Sequence, residues 1–88
     1  MIKLLYFSAD WCAPCKRMKP IVKQFIEDNP DILFVDIDVD EEYEHAKEFR
    51  ISSVPTTVVV KDGEEFARKP GAFTREKLEQ LVFGENNG

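Results

Sequence analysis

The first residues of the chain form a nearly continuous apolar run from Ile2 to Phe7, which only Lys3 interrupts. Such a run is typical of a central β-strand that is buried on both faces of a sheet, and it predicts a strand over Ile2–Ser8. Because both faces of this strand need cover, the run favours an α/β fold in which helices sandwich the sheet.

The segment from Ala13 to about Asp28 has the pattern of an amphipathic helix. Pro14 suits the first turn of this helix, where no backbone donor is lost, whereas Pro20 lies inside the helix and predicts a kink. A turn signal at 29–31 then leads into a second strand over 32–39, so that strand, helix and strand form a βαβ crossover. The apolar residues of the helix recur at spacings of three and four: Met18, Ile21, Val22, Phe25 and Ile26.

The rest of the chain predicts two more helices and a hairpin. Acidic residues followed by basic ones predict a helix over 41–49, because this order complements the helix dipole. Asp62-Gly63 joins strands over 56–61 and 64–69, and Thr74 can cap a last helix. The predicted order is β-α-β-α-β-β-α, a four-stranded mixed sheet flanked by three helices. One domain covers residues 1–83, and a flexible tail covers 84–88.

The composition argues against several classes of function. The formal net charge is -5 and no basic stretch offsets it, so a nucleic-acid backbone would repel the surface. No apolar run approaches the roughly 20 residues of a membrane-spanning helix, and the first residues lack the pattern of a secretory signal. We therefore expect a cytoplasmic monomer that binds neither nucleic acid nor membranes.

The chain contains only two cysteines, Cys12 and Cys15. A disulfide between them closes a loop too short to stabilise the fold, so the pair indicates chemistry. The pair follows a buried strand and opens a helix, which brings the first sulfur near unpaired amide donors and the positive end of the helix dipole. This environment lowers the pKa of a thiol, so we expect Cys12 to attack a disulfide and Cys15 to resolve the mixed disulfide.

Two other uses of the cysteine pair are possible. A zinc site would need four ligands, and only His45, on a different predicted helix, could join the cysteines. The cysteines could also be structural residues of the core. Neither alternative explains the strand–turn–helix context, and we expect no bound metal or cofactor.

Several separated motifs lie along nearly the whole chain. In chain order, they are Ala9-Asp10-Trp11-Cys12-Ala13-Pro14-Cys15-Lys16, Pro20, Asp40, Val54-Pro55-Thr56, Lys61-Asp62-Gly63 and Gly71. Together they resemble the thioredoxin family. The resemblance implies that Pro55 is cis and packs against the active-site sulfurs, and that the backbone beside it, at Val54 and Thr56, pairs with an extended substrate. A trans proline that begins a strand is the alternative.

The resemblance also assigns roles to residues around the cysteines. Trp11 matches a tryptophan that shields the site and contacts partners, although it could be an ordinary core aromatic. Ala13 and Pro14, between the cysteines, are expected to contact the substrate. Gly71 matches a glycine that lets a partner chain approach closely, and a simple Pro-Gly turn would also explain it.

Three features depart from the family pattern. The sequence begins at the central strand of the family and lacks its usual amino-terminal strand and helix, and Ala13 replaces a common glycine. Many members also place a buried acid six residues before the first cysteine and pair it with a lysine on the next strand. Tyr6 and Asp36 stand at these two positions, so water, Asp36 or a nearby group must accept the proton of Cys15.

The function that the resemblance implies is that of a thiol–disulfide oxidoreductase, which reduces disulfides of protein substrates. Its electrons would come from a thioredoxin reductase or from the glutathione system. One alternative is a glutaredoxin-like reductase recharged by glutathione, but Trp11 and the Lys61-Asp62-Gly63 turn favour a thioredoxin. The other alternative is a docking module with the same fold and no redox activity.

Overall fold

The computed structural model describes residues 1–84 and confirms the predicted fold class and order of elements. Of the predicted tail, residues 85–88 lie outside this description, and Gly84 caps the last helix in the left-handed conformation. Among residues 1–84, no helix has the combination of length and apolar character needed to cross a membrane. The elements are β1 (Ile2–Ser8), α1 (Ala13–Asp28), β2 (Leu33–Asp38), α2 (Tyr43–Glu48), β3 (Thr56–Lys61), β4 (Glu64–Pro70) and α3 (Arg75–Phe83).

The four strands form one mixed sheet in the order β2-β1-β3-β4. β1 runs parallel to β2 and antiparallel to β3, and β3 and β4 form the predicted hairpin. β1 is therefore an internal strand, as its apolar run predicts, and it is buried from Leu4 to Ser8. The carboxyl end of β1, where the cysteines follow, lies beside the carboxyl end of β2.

Alternate side chains of β1 enter two apolar cores, one on each face of the sheet. Leu4 and Tyr6 pack with the buried faces of α1 and α3, which include Val22 and Leu78. On the other face, Leu5 and Phe7 pack with one residue from each of three elements: Ile37 of β2, Ala46 of α2 and Val58 of β3. The first of these cores holds α1 against the sheet, and α1 carries the cysteine pair at its first turn.

Two elements are shorter than the sequence predicts: β2 lacks one residue at each end, and α2 begins two residues later and ends one residue earlier. The side chain of Asp38 explains the late start of α2, because its Oδ1 accepts the backbone N–H groups of Asp40 at 2.8 Å and of Glu41 at 3.2 Å. This side-chain turn competes with the helix for the backbone of these residues. The predicted cap of α3 is present, since the Thr74 hydroxyl oxygen accepts the N–H of Lys77.

Candidate active site

The two cysteines lie where the loop after β1 enters α1. Cys12 is the N-cap of α1, and its Sγ accepts the backbone N–H of Cys15 at 3.2 Å. The Cα atoms of the two residues are 5.3 Å apart and their sulfurs form a disulfide. The first turn of α1 contains no acidic residue. In the reduced protein, the helix dipole and this N–H group therefore stabilise a thiolate at Cys12.

The surroundings of the two sulfurs differ. Cys12 is 4% exposed, and its Sγ lies 3.7 Å from the carbonyl oxygen of Val54, so the sulfur faces the loop before β3. Cys15 is 2% exposed and packs with Ala9 inside the first turn of α1. Of the two sulfurs, that of Cys12 is therefore the one that lies beside the loop before β3.

The loop before β3 contains the expected cis peptide bond, between Val54 and Pro55. Hydrogen bonds hold this loop in place: the Thr56 hydroxyl donates to the Ser53 carbonyl oxygen at 2.7 Å, and the N–H of Gly71 donates to the Pro55 carbonyl oxygen at 2.7 Å. Pro55 and Thr56 are buried, whereas Val54 is only half-buried. Val54 is therefore the most accessible of these three residues.

Gly71 combines the two properties that the sequence leaves as alternatives. Its φ of +87° is a conformation that favours glycine, as in a Pro-Gly turn. No atom lies within 4 Å of the position that a Cβ would occupy, so this side of the residue is open to an approaching chain. The turn and the open approach are thus compatible at this position.

Trp11 is a surface residue and not a core aromatic. Its side chain is 70% exposed, and the indole N–H donates to Oδ2 of Asp40 at 2.9 Å. Trp11 forms one wall of a cleft of about 170 Å³ beside Cys12. Ala13 is exposed and Pro14 is half-buried in the first turn of α1. The other residues of the cleft are Val39, Ile51, Ser52, Ser53 and Val54.

Sequence reasoning identified Trp11 and Val54 of this cleft but missed its remaining residues. Ile51, Ser52 and Ser53 directly precede Val54, and this adjacency was the one signal available in the sequence. Val39 was assigned to the end of a strand, whereas in the structure it lies past β2 and its N–H donates to the Ser8 carbonyl oxygen at 2.9 Å. That bond brings Val39 to the end of β1, next to the cysteines.

A profile of the thioredoxin family matches residues 1–83. The chain belongs to this family. Thioredoxin H2-1 of Oryza sativa subsp. japonica is 41% identical over 76 residues, which are 86% of this chain and 54% of the rice protein. The chain spans about half the length of the rice protein and of a second plant relative, the thioredoxin H10 of Arabidopsis thaliana.

Solved structures of thioredoxins share the fold closely. The X-ray structure of Fasciola hepatica thioredoxin matches with a TM-score of 0.89 at 32% identity, covering 97% of this chain and 81% of that one. A chain from a structural study of thiol resolution in a yeast mitochondrial 1-Cys peroxiredoxin via glutathione/thioredoxin systems matches with a TM-score of 0.88 at 36% identity. That match covers 94% of this chain and 77% of the other.

Tyr6 and Asp36, the two residues that depart from the thioredoxin pattern, both make contacts with α1. Tyr6 is fully buried and its hydroxyl donates to the carbonyl oxygen of Cys15 at 2.9 Å. Burial, with a smaller contribution from the charge of Asp36, raises the pKa of Tyr6 to about 12. Asp36 forms an ion pair with Lys19, with Nζ and Oδ2 2.9 Å apart. Sequence reasoning missed Lys19, although its position one helical turn after Cys15 was visible.

Proposed function

We propose that the chain is a thiol–disulfide oxidoreductase that reduces disulfides in protein substrates. The observation that carries this proposal is the position of Cys12 as the N-cap of α1, with the N–H of Cys15 directed at its sulfur. This arrangement favours a thiolate where a substrate can reach it. Membership of the thioredoxin family and the disulfide between Cys12 and Cys15 support the proposal.

The reaction takes two exchange steps. The Cys12 thiolate attacks one sulfur of the substrate disulfide, and the other substrate sulfur leaves as a thiolate. Cys15 then loses its proton and attacks the Cys12 sulfur of the mixed disulfide, which releases the second substrate thiolate. Two electrons pass from the dithiol to the substrate, and the protein is left with the Cys12–Cys15 disulfide.

The cleft between Trp11 and Val54 is proposed to bind the substrate. An extended segment next to the substrate disulfide would pair with the backbone at Val54 and Thr56, on either side of Pro55. Its side chains would contact Trp11. The exposed Ala13 and half-buried Pro14 lie in the turn that carries Cys12, and the open side of Gly71 leaves room for the substrate backbone.

The oxidised protein needs an outside source of electrons, and we propose a thioredoxin reductase or the glutathione system. The yeast study on a 1-Cys peroxiredoxin supports protein thiols and disulfides as the class of substrate. We propose that the chain works as a monomer, and that it does so in a reducing compartment such as the cytoplasm, because thiols are kept reduced there. No bound cofactor is part of the proposal.

Insulin reduction by dithiothreitol tests the activity. The chain should accelerate the reaction well above dithiothreitol alone, Cys12→Ser should abolish the acceleration, and Cys15→Ser should accumulate the mixed disulfide. An absence of acceleration would support the docking module instead. Turnover that requires glutathione would support the glutaredoxin-like alternative.

Equilibration with glutathione measures the reduction potential of the Cys12–Cys15 couple, and this potential gives the direction of electron flow. A potential of about -270 mV is typical of reducing thioredoxins, and one of about -120 mV is typical of strong oxidants.

A further inference from the structure

A second cavity, of about 290 Å³, lies beside Cys15. It shares no lining residue with the Trp11 cleft. Its volume is several times the roughly 30 Å³ that a water molecule occupies in the liquid, so it is large enough for several waters. Besides Ser8, Ala9 and Cys15, its wall consists of charged residues, namely Asp10, Lys16, Lys19, Asp36, Asp38, Glu41 and Glu42.

The resolving step needs a proton acceptor near this cavity. Cys15 must lose its thiol proton to attack the mixed disulfide, and at 2% exposure its sulfur has little direct contact with bulk water. Tyr6 is a poor acceptor, because its hydroxyl already donates to the Cys15 carbonyl oxygen and burial raises its pKa to about 12. The carboxylates on the wall of the cavity are therefore the candidate acceptors.

Asp36 is the carboxylate on this wall that is held by an ion pair with α1. Asp38 is also held, but its Oδ1 already accepts the backbone N–H groups of Asp40 and Glu41. It pairs with Tyr6 in the register of β1 and β2, so both side chains lie on the face of the sheet that α1 covers. Lys19, one helical turn after Cys15, reaches across from α1 and binds the Asp36 carboxylate at 2.9 Å. The side chains of Lys19 and Asp36 are 36% and 37% exposed, so a proton that reaches this pair can pass on to solvent.

We propose that Asp36 accepts the Cys15 proton through water in this cavity, and that Lys19 positions the Asp36 carboxylate for the transfer. The inference rests on the proposed oxidoreductase function. In the resolving step, the proton moves from Cys15 Sγ through water to Asp36 and then to solvent. The Cys15 thiolate forms a bond to Cys12 Sγ, the bond from Cys12 Sγ to the substrate sulfur breaks, and the substrate leaves as a thiolate. When the disulfide is reduced again, Asp36 takes up a proton from solvent and donates it through the cavity water to Cys15.

The two exchange steps can be measured separately with 5,5′-dithiobis(2-nitrobenzoate), one equivalent per reduced protein. The first thionitrobenzoate is released by Cys12 and the second by Cys15. Asp36→Asn should slow the second release by about tenfold or more at pH 7, because a positioned acceptor contributes at least this much, and should displace its pH profile to higher pH. The first release should not change. Lys19→Met should slow the second release less, and Asp36→Glu should restore it.

Two controls separate a proton acceptor from a general effect of charge. Glu41→Gln removes the same charge from the same cavity, and Tyr6→Phe removes the other candidate group. Both should keep the wild-type pH profile of the second release. The proposal is overturned if Asp36→Asn resolves as fast as the wild type, or if Glu41→Gln slows the step equally. Failure of the proposed function gives a different result, since the wild type itself would then release no second thionitrobenzoate and would not reduce insulin.

Discussion

Tyr6 occupies the position where many members of the thioredoxin family bury an acid, and its hydroxyl binds the helix backbone. The bond to the Cys15 carbonyl oxygen fixes the first turn of α1 to β1. The aromatic ring belongs to the same buried core as Leu4 and Met18. Tyr6 thus places a hydroxyl group, which stays neutral and donates a hydrogen bond at physiological pH, where those members have a carboxyl group.

The raised pKa of Tyr6 predicts how its substitution alters stability with pH. Between pH 10 and about 12 the folded protein keeps the Tyr6 proton while the unfolded chain loses it. The contribution of Tyr6 to the free energy of unfolding is therefore complete below pH 10, and it is lost as the pH rises through about 12. The loss amounts to about 2–3 kcal/mol. Tyr6→Phe should remove this pH dependence, and should cost about 1 kcal/mol at pH 7 through the lost hydrogen bond.

Urea unfolding from pH 7 to pH 12 measures this difference. Tyr43→Phe is the matched control, because Tyr43 is exposed on the surface and should leave the unfolding curves unchanged. If the wild type and Tyr6→Phe lose stability in parallel above pH 10, the hydroxyl of Tyr6 is not held protonated by the fold.

The sequence predicts individual contacts less well than it predicts which residues surround the cysteines. Cys12 could be identified from its place between a buried strand and a helix, whereas Val54 and Gly71 were identified through the resemblance to the thioredoxin family. The ion pair between Lys19 and Asp36 could not, since it depends on how α1 packs across β2, which neither segment encodes alone. The same holds for the bond from Trp11 to Asp40, which joins the loops after β1 and β2.

At the scale of secondary structure, the turn after α2 contains a residue in an unfavourable backbone conformation. Arg50 follows its C-cap with a φ of +56°, while the N–H of Ile51 donates to the Ala46 carbonyl oxygen. This ending turns the chain towards the loop that carries Val54 and Pro55. A glycine adopts such a conformation without the steric cost of a Cβ.

Arg50→Gly should therefore raise the free energy of unfolding by about 0.5–1 kcal/mol, after the larger entropy of glycine in the unfolded chain is subtracted. In a domain of this size, thermal unfolding should show a rise in Tm of a few degrees. Arg50→Ala removes the same exposed side chain but keeps the Cβ, so it should show no such gain. Equal stability of the glycine and alanine variants would contradict the prediction.

The elements themselves were predictable, and their ends were less so. The apolar run of β1, the helical spacing in α1 and the Asp62-Gly63 turn act over a few residues, and all three appear in the structure as predicted. The start of α2 was placed too early, since the acidic residues that suit a first turn are held by the side chain of Asp38. A charge pattern cannot reveal such a competing hydrogen bond.

At the scale of the whole molecule, the residues of the site and the residues of the core are largely separate sets. The apolar cores lie along the two faces of the sheet, and the candidate site lies at the carboxyl end of β1. A domain of 88 residues is only marginally stable, by about 5–10 kcal/mol, so a single large core truncation removes much of its stability. Loss of an exposed side chain at the site should leave stability almost unchanged.

Trp11 and Phe25 test this separation. Phe25 is fully buried against Phe83 and Arg75, so Phe25→Ala should cost about 3–5 kcal/mol, and Phe25→Leu, which keeps most of the volume, about 1 kcal/mol. Trp11→Ala should cost less than about 1 kcal/mol, because only an exposed ring and its bond to Asp40 are lost. Its kcat/KM for insulin should fall about tenfold, as for an aromatic contact worth about 1.4 kcal/mol.

Urea unfolding and insulin reduction on the same samples separate the two effects. Folded Phe25→Leu should retain the wild-type kcat/KM, since Phe25 lies in α1 away from the cleft residues. If Trp11→Ala loses as much stability as Phe25→Ala, the indole belongs to the core despite its exposure. If Trp11→Ala instead keeps full activity, the substrate binds without the Trp11 wall, and the contacts along Val54 and Pro55 must account for recognition alone.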